Sequence, residues 1–344
     1  MREPAFWHRP PSWQSRLLLP LSMLYGAVAA RRMAQSGIDA GVPVICVGNF
    51  HVGGAGKTPT VLALTALLRA QGEQPVVLSR GYGGRLQGPV LVDPATHDAA
   101  DVGDEPLMMA AQVPVVVSRA RAEGVGLAKA QGASVILMDD GFQNPSITKD
   151  LALIVIDGAR GLGNAQVFPA GPLRAPLPPQ LARTDALIVV GRGDAGEAVA
   201  SRVAAAGKPV FRAQLQPDPR VVAALAGWPI LAFAGIGDPQ RFFRTLRACG
   251  LDIKAERAFP DHHPFSAEDI KTLEETARRG GLTLVTTEKD LVRLRRKDAG
   301  QPDPALTAFP VTLQVSDVAA LRTFVAQRLS AARQPQPLAF SAPG

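Results

Sequence analysis

Val44-Ile45-Cys46-Val47-Gly48-Asn49-Phe50-His51-Val52-Gly53-Gly54-Ala55-Gly56-Lys57-Thr58 reads as a strand, a glycine loop and the first residues of a helix. The run 44–47 is apolar throughout, as a strand buried on both faces requires. Glycines at 53, 54 and 56 let the backbone turn its N–H groups inward toward phosphate oxygens. A helix that begins at Lys57 adds the positive end of its dipole. Lys57 can then reach the β- and γ-phosphates of ATP, and the Thr58 hydroxyl can ligate Mg²⁺. Gly53, Gly54, Ala55, Gly56, Lys57 and Thr58 are therefore the candidate ATP-binding residues. The pattern G-x-x-x-x-G-K-[ST] would put a glycine at 51, where this chain has His51. The competing reading is a glycine-rich turn with a chance Gly-Lys-Thr. The strand before it and the helix after it argue against that.

Outward from this loop the chain alternates. Apolar, β-branched runs at 43–47, 74–78, 113–117, 134–138, 151–156 and 186–190 are separated by helical stretches such as 58–70 and 120–131. That is the pattern of βαβ units, and it predicts an α/β fold with a P-loop NTPase-like parallel sheet flanked by helices. A proline-rich loop covers 169–179. The alternation weakens over 207–229, where Pro209, Pro217, Pro219 and Pro229 suggest a hinge or linker. A second βα series follows, with strands at 230–234, 282–286 and 311–315 and helices at 239–249, 266–279 and 317–332. The expected organisation is an N-terminal segment over 1–40, a P-loop domain over 41–206, the linker over 207–229, a smaller C-terminal α/β domain over 230–333 and a flexible tail over 334–344.

The chain has 344 residues, of which 47% are hydrophobic and 19% charged, enough apolar material for a sizeable core. A net charge of +7 points to an anionic partner: nucleic acid, a phosphate-bearing substrate or an anionic membrane. Aromatic residues make up only 5%, too few for a base-stacking platform, so no nucleic-acid partner is expected. No protein partner is indicated. Cys46 and Cys249 lie far apart without metal-ligand spacing and read as buried thiols in a reducing compartment.

Four further motifs bear on chemistry. The apolar strand at 134–138 runs into Asp139 and Asp140, a place where folds of this kind hold Mg²⁺; the alternative is a solvated strand end. Asp104, in Gly103-Asp104-Glu105-Pro106, either caps the helix that follows or accepts the proton of an attacking hydroxyl. Asp261-His262-His263 is either a structural hydrogen-bonded pair or, if a hinge brings the halves together, a means of tuning that base. Arg80 follows a strand, where ligands bind in open α/β sheets, and is read as a phosphate contact or a surface arginine.

Residues 1–40 carry Arg2, Arg9, Arg16, Arg31 and Arg32 against Glu3 and Asp39. The mostly apolar stretch 17–30, broken by Pro20, would span about 21 Å as a helix, short of a hydrocarbon core of ~30 Å. Phe6, Trp7, Trp13 and Tyr25 beside arginines match an interfacial segment on anionic lipid. Trp7, Trp13, Arg16, Tyr25, Arg31 and Arg32 are the candidate docking residues. A signal peptide ending near Ala27-Val28-Ala29 and a plain core helix are the alternatives. An ATP site just downstream disfavours the first, since it has little use outside the cytoplasm.

Taken in order, several segments resemble the tetraacyldisaccharide 4′-kinases, the lipid A 4′-kinases of Gram-negative bacteria, over about residues 13–330. They are Pro20-Leu21-Ser22 to Tyr25, Val47-Gly48-Asn49, Gly53 to Pro59, Ser79-Arg80-Gly81-Tyr82-Gly83, Gly103-Asp104-Glu105-Pro106, Asp139-Asp140-Gly141-Phe142-Gln143, Pro169 to Arg174, and Asp261-His262. The resemblance implies transfer of the ATP γ-phosphate to the 4′-hydroxyl of an acylated glucosamine disaccharide 1-phosphate, giving lipid IVA. It implies Asp104 as base paired with His262, and the acid pair Asp139 and Asp140 with Thr58 at Mg²⁺. It also implies a hinge to the smaller domain and peripheral docking on the cytoplasmic face of the inner membrane. Asn49, Arg80, Gln143 and Arg174 are expected at the substrate or phosphates. The chain departs from the family pattern at Asn144, where His is usual, at Ala175, where an acid often follows the arginine, and at His51, where a small hydroxyl residue is usual.

Three rival functions fit less well. Membrane-associated regulatory ATPases place a lysine directly before the paired glycines, where this chain has Val52. A GTPase needs N-K-x-D, of which Thr287-Glu288-Lys289-Asp290 is only a superficial likeness. A soluble small-molecule kinase would use the N-terminal segment as core alone.

Overall fold

The structure, a computed structural model, describes residues 3–294 and 306–334. Thirteen strands are formed by the described residues: β1 (Val44–Gly48), β2 (Pro75–Ser79), β3 (Val90–Leu91), β4 (Val115–Val117), β5 (Val135–Asp139), β6 (Leu151–Asp157), β7 (Ala186–Val190), β8 (Val210–Pro217), β9 (Ile230–Ala234), β10 (Ile253–Ala258), β11 (Thr283–Thr287), β12 (Leu306–Phe309) and β13 (Val311–Val315). Nine build a large sheet in the order β13-β8-β7-β6-β1-β5-β2-β4-β3, and four build a small parallel sheet in the order β10-β9-β11-β12. In the large sheet only the edge pairs, β13 with β8 and β3 with β4, are antiparallel.

Strand β1 lies at the centre between β5 and β6, in parallel register with both. Its side chains alternate between two cores, as a period of two dictates. Ile45 and Val47 pack with Val61, Leu64 and Leu68 of the helix Lys57–Arg69 on one face. Val44 and Cys46 pack with Met33, Phe50 and Ile136 on the other. Burial on both faces is why these strands read as unbroken apolar runs. From β1 the chain builds outward through β2 on one side and, after β5, crosses β1 to build β6 and β7 on the other, so a crevice opens at the carboxyl ends of β1, β5 and β6.

The expected linker over 207–229 is corrected. Its residues 210–217 form β8, which pairs with β7 and β13 in the large sheet. Phe211 and Ala213 point inward and Arg212 and Gln214 outward, the half-buried alternation that the flanking prolines obscured. The expected C-terminal domain is corrected in the same way. Strand β13 and the helix Val318–Arg333 return to the large sheet, where Leu321, Val325 and Leu329 join the core of the phosphate loop's helix. The small sheet is thus an insertion between β8 and β13. The expected tail lies, from residue 335, outside the described residues, as do 295–305.

The N-terminal segment folds as two helices, Trp13–Leu17 and Leu19–Met33. Pro20 falls in the first turn of the second, where its missing N–H costs nothing, so it starts that helix instead of breaking it. The buried face of Leu19–Met33 consists of Ser22, Gly26 and Met33. Ser22 Oγ donates to the Val167 carbonyl at 2.6 Å, and Gly26 sits so close to Pro176 that an added Cβ would lie 3.3 Å from its ring. The large apolar side chains face out: Trp13, Leu17, Leu21, Met23, Leu24 and Val28 are exposed. Among the described residues no helix is long and apolar enough to cross a membrane.

Candidate active site

The glycine loop hangs from the carboxyl end of β1. Gly53 (φ 102°) and Gly56 (φ 90°) adopt left-handed conformations that a side chain resists, and Gly56 caps the helix Lys57–Arg69. Around Gly54 an added Cβ would meet nothing within 4 Å, so a ligand can approach the backbone there. Asn49 Nδ2 donates to the Gly53 carbonyl at 3.0 Å and closes the loop on itself. Gln143 Nε2 donates to the Asn49 carbonyl at 2.8 Å and to Gln180 Oε1 at 2.9 Å. Asn49 and Gln143, expected at the substrate or phosphates, thus brace the loop in this structure.

His51 fills the missing-glycine position by being buried and neutral. Burial first, then Lys57 and Arg160 nearby, push its pKa down to about 4, against a hydrogen bond from Nδ1 to the Val52 carbonyl at 2.8 Å. Ala175 is fully buried, and its carbonyl accepts from Gln180 Nε2 at 2.8 Å.

The acid pair divides. Arg174 clasps Asp140 through both guanidinium nitrogens, at 2.8 and 3.0 Å, while its Nε donates to the His51 carbonyl at 3.1 Å. Lys57 Nζ stands 3.7 Å from Asp140 Oδ1. Desolvation works against the charge, but Lys57 and Arg174 outweigh it and hold the Asp140 pKa at about 2. Asp139 is buried at the end of β5, with one oxygen 3.3 Å from Ser79 Oγ and Oδ1 without a partner among the described residues. Burial, with Glu105 and Asp140 adding repulsion, pushes its pKa up to about 7. A buried carboxylate with an unpartnered oxygen fits a cation as its missing partner. Thr58 lies buried at the start of the neighbouring helix. Of the two acids expected at the metal, Asp139 keeps a free oxygen and Asp140 has both committed to Arg174. Among the described residues no three His, Cys, Asp or Glu side chains converge on one point.

The small sheet supplies the other wall. Asp104 starts the helix Asp104–Ala110, with Oδ1 accepting from the Glu105 N–H at 2.9 Å. Its other oxygen, Oδ2, faces His262 Nδ1 at 3.0 Å, Arg293 Nε at 3.0 Å and Lys289 Nζ at 3.9 Å. Burial would raise its pKa, but the His262 hydrogen bond and the charges of Lys289, His262 and Arg293 hold it below the ordinary carboxylate value. His262 has left-handed backbone (φ 55°), is tied to the Gly235 carbonyl at 3.0 Å and meets the Tyr82 ring edge-on at 5.2 Å. The Asp104–His262 pair expected across a hinge is therefore formed. Glu105 is close enough to Asp139 to raise its pKa, so the loop, the acids and this pair share one cleft.

Arg80 stands exposed after β2. Among the candidate docking residues, Trp13, Arg16, Tyr25, Arg31 and Arg32 are exposed. Trp7 is corrected: it is buried, its indole N–H donates to the Pro169 carbonyl at 3.0 Å, and Phe168 covers it edge-on. Sequence reading missed Arg121, Lys289 and Arg293. Arg121 is buried behind β5 with Nη2 on the Asp139 carbonyl at 2.8 Å. Thr287-Glu288-Lys289-Asp290 was visible only as a poor guanine-reading motif.

A glycine cradle at the reversal point of a parallel sheet, opposed by a buried ionised carboxylate, defines a P-loop phosphotransferase. A family model described as LpxK: Tetraacyldisaccharide-1-P 4′-kinase matches residues 14–330, and the chain belongs to that family. A tetraacyldisaccharide 4′-kinase of Bradyrhizobium sp. strain BTAi1 is 81% identical over all of both chains. That of Nitrobacter hamburgensis is 67% identical, over 97% of this chain and all of its own. Among solved structures, LpxK from Aquifex aeolicus in complex with ATP superposes with a TM-score of 0.71 at 27% identity, covering 92% of this chain and 99% of that one.

Proposed function

We propose that this chain transfers the γ-phosphate of ATP to the 4′-hydroxyl of tetraacyldisaccharide 1-phosphate, with Asp104 as the base. The observation that carries the assignment is a buried, ionised Asp104 held by His262 in the cleft that contains the glycine loop. Backbone N–H groups of residues 53–58 and the Lys57 ammonium bind the triphosphate and balance charge on the transferring group. Thr58 and Asp139 would hold Mg²⁺, which would neutralise phosphate charge. The substrate O–H gives its proton to Asp104, its oxygen forms the new bond to the γ-phosphorus, and the bond to the β-phosphate oxygen breaks to release ADP. Arg80, exposed after β2, serves as an anion contact, and Arg174, already on Asp140, adds positive charge beside it.

The acceptor is an amphiphile, and the exposed apolar face of Leu19–Met33 with Arg16, Arg31 and Arg32 suits peripheral docking on anionic lipid at the cytoplasmic face of the inner membrane. Purified protein incubated with γ-labelled ATP, Mg²⁺ and the lipid disaccharide should place label on the lipid. Label appearing only in free phosphate overturns the proposal. Binding to anionic vesicles should fall when Met23 and Leu24 are replaced by serine, and undiminished binding removes the docking role.

A further inference from the structure

We propose that Arg293, braced by Asp290, is a positioning residue that assembles the Asp104–His262 pair across the two sheets and, together with Lys289, keeps Asp104 ionised. The inference rests on Asp104 being the base and assigns the Thr287-Glu288-Lys289-Asp290 segment to that reaction.

Arg293 is the side chain through which the two halves of the pair are tied. Its Nε lies 3.0 Å from Asp104 Oδ2, on the large sheet's side of the cleft. Its Nη1 donates to the Gly235 carbonyl at 2.9 Å and reaches the His263 carbonyl at 3.4 Å. Gly235 is the residue whose carbonyl also takes the His262 N–H, so one guanidinium is ion-paired with the base and hydrogen-bonded to the backbone that aims the histidine. The Phe265 ring lies 6.0 Å from the guanidinium carbon.

The brace is equally specific. Asp290 is fully buried and stands 2.9 Å from Arg293 Nη2. It accepts from the Gly235 N–H at 3.1 Å and from the Thr287 hydroxyl at 2.7 Å, so its orientation is set by β9 and β11 together. Arg293 therefore stands between two buried carboxylates, one structural and one chemical. Lys289 reaches Asp104 at 3.9 Å and binds Glu105 at 3.0 Å, closing the helix Glu288–Leu294 onto the helix Asp104–Ala110. The charged and titratable groups facing Asp104 are thus His262, Asp261 behind it, Arg293, Lys289 and Glu105. Removing Arg293 leaves two buried acids without their shared cation, so each keeps a proton to higher pH than before. A protonated Asp104 cannot accept the substrate's proton.

The test uses the full-length protein with ATP and the lipid disaccharide, with rates measured from about pH 3.5 to 9, a range that reaches the region where Asp104 titrates. Arg293→Gln should lower kcat at neutral pH about 10-fold by loosening the alignment of Asp104 with His262, and separately move the acid limb of the kcat profile up by about one pH unit. ATP affinity by equilibrium binding should stay within about twofold, because the loop is untouched. Arg293→Lys should recover part of both effects. Lys289→Gln, a mostly buried site outside the brace, should move the limb the same way. An acid limb that coincides with wild type in Arg293→Gln overturns the proposal, as does a loss of kcat equal to the loss of folded protein. If Arg293→Gln does not fold, an unshifted limb in Lys289→Gln overturns it instead. Asp104→Asn is measured beside them: near-normal turnover there removes the base itself, whereas a dead Asp104→Asn with an unshifted Arg293→Gln removes this inference alone.

Discussion

Asp139 and Asp104 are both buried carboxylates in one cleft, and their affinities for a proton move in opposite directions. Asp139, served by the large sheet, is pushed up to about 7, with one oxygen unpartnered among the described residues. Asp104 belongs to the same half but faces His262, Arg293 and Lys289 from the inserted half, and its pKa is held down. Burial and countercharge are common to the two; at Asp139 burial and the like charges of Glu105 and Asp140 outweigh Lys57 and Arg121, whereas at Asp104 the cations prevail. On the proposed reading, the large sheet leaves a place for a cation to arrive with the nucleotide, whereas the small sheet delivers its cations permanently to the proposed base. One acid is made ready by binding and the other by folding.

The largest blow to this scheme should come from the glycine loop. Lys57→Ala removes the ammonium beside the acid pair and the triphosphate, and turnover should fall at least about 10³-fold with weaker ATP binding. Near-normal turnover with an intact fold would show that the triphosphate lies elsewhere. Next comes Asp104→Asn, which should cost about 10²-fold in kcat with little change in ATP affinity, separating the two acids by kinetics. A loss confined to ATP binding would place Asp104 on the nucleotide side and erase the contrast.

A third experiment compares the acids without any substrate. The folded pKa of Asp139, about 7, lies above its ordinary 3.8, so the folded protein binds the extra proton between those values. Its contribution is therefore fully present below about pH 4 and is lost as pH rises through about 7. In metal-free protein, Asp139→Asn should be less sensitive to that rise than wild type in urea unfolding. Parallel stability curves for the two proteins over that range would show that Asp139 is solvated or already paired.

These two acids also mark what the sequence reveals. The phosphate cradle was legible because it is made of backbone: glycines, a lysine and a threonine in one contiguous run, with apolar strands on both sides announcing the sheet. Asp139 was legible because it ends a strand. The countercharges on Asp104 were not, because Arg293 and Lys289 lie almost 200 residues away from it and reach it only after a sheet has been inserted between β8 and β13. Strand β8 was hidden by prolines that border it, and β13 by its closeness in sequence to the small sheet. At the N-terminus, composition identified an amphiphilic segment but not its inversion. The buried face of Leu19–Met33 is small at Ser22 and Gly26 and apolar only at Met33, and Trp7, whose aromatic character suggested lipid, spends its N–H on Pro169.

The smallest effect tests how firmly the halves are held. Arg241, at the start of a small-sheet helix, lies 2.5 Å from Asp157 at the end of β6. Asp157 is buried and also accepts from the N–H groups of Ala159 and Arg160, so the carboxylate is fixed while the partly exposed arginine is the movable partner. Solvent screening of that arginine limits the pair to about 0.5–1 kcal/mol, a two- to fivefold change in the closed population. Arg241→Gln should therefore lower kcat about threefold, with ATP affinity unchanged and the acid limb unmoved, since Asp104 keeps its own cations whenever the cleft is closed. A limb that shifts with Arg241→Gln would mean that closure itself, more than Arg293, sets the charge on the base.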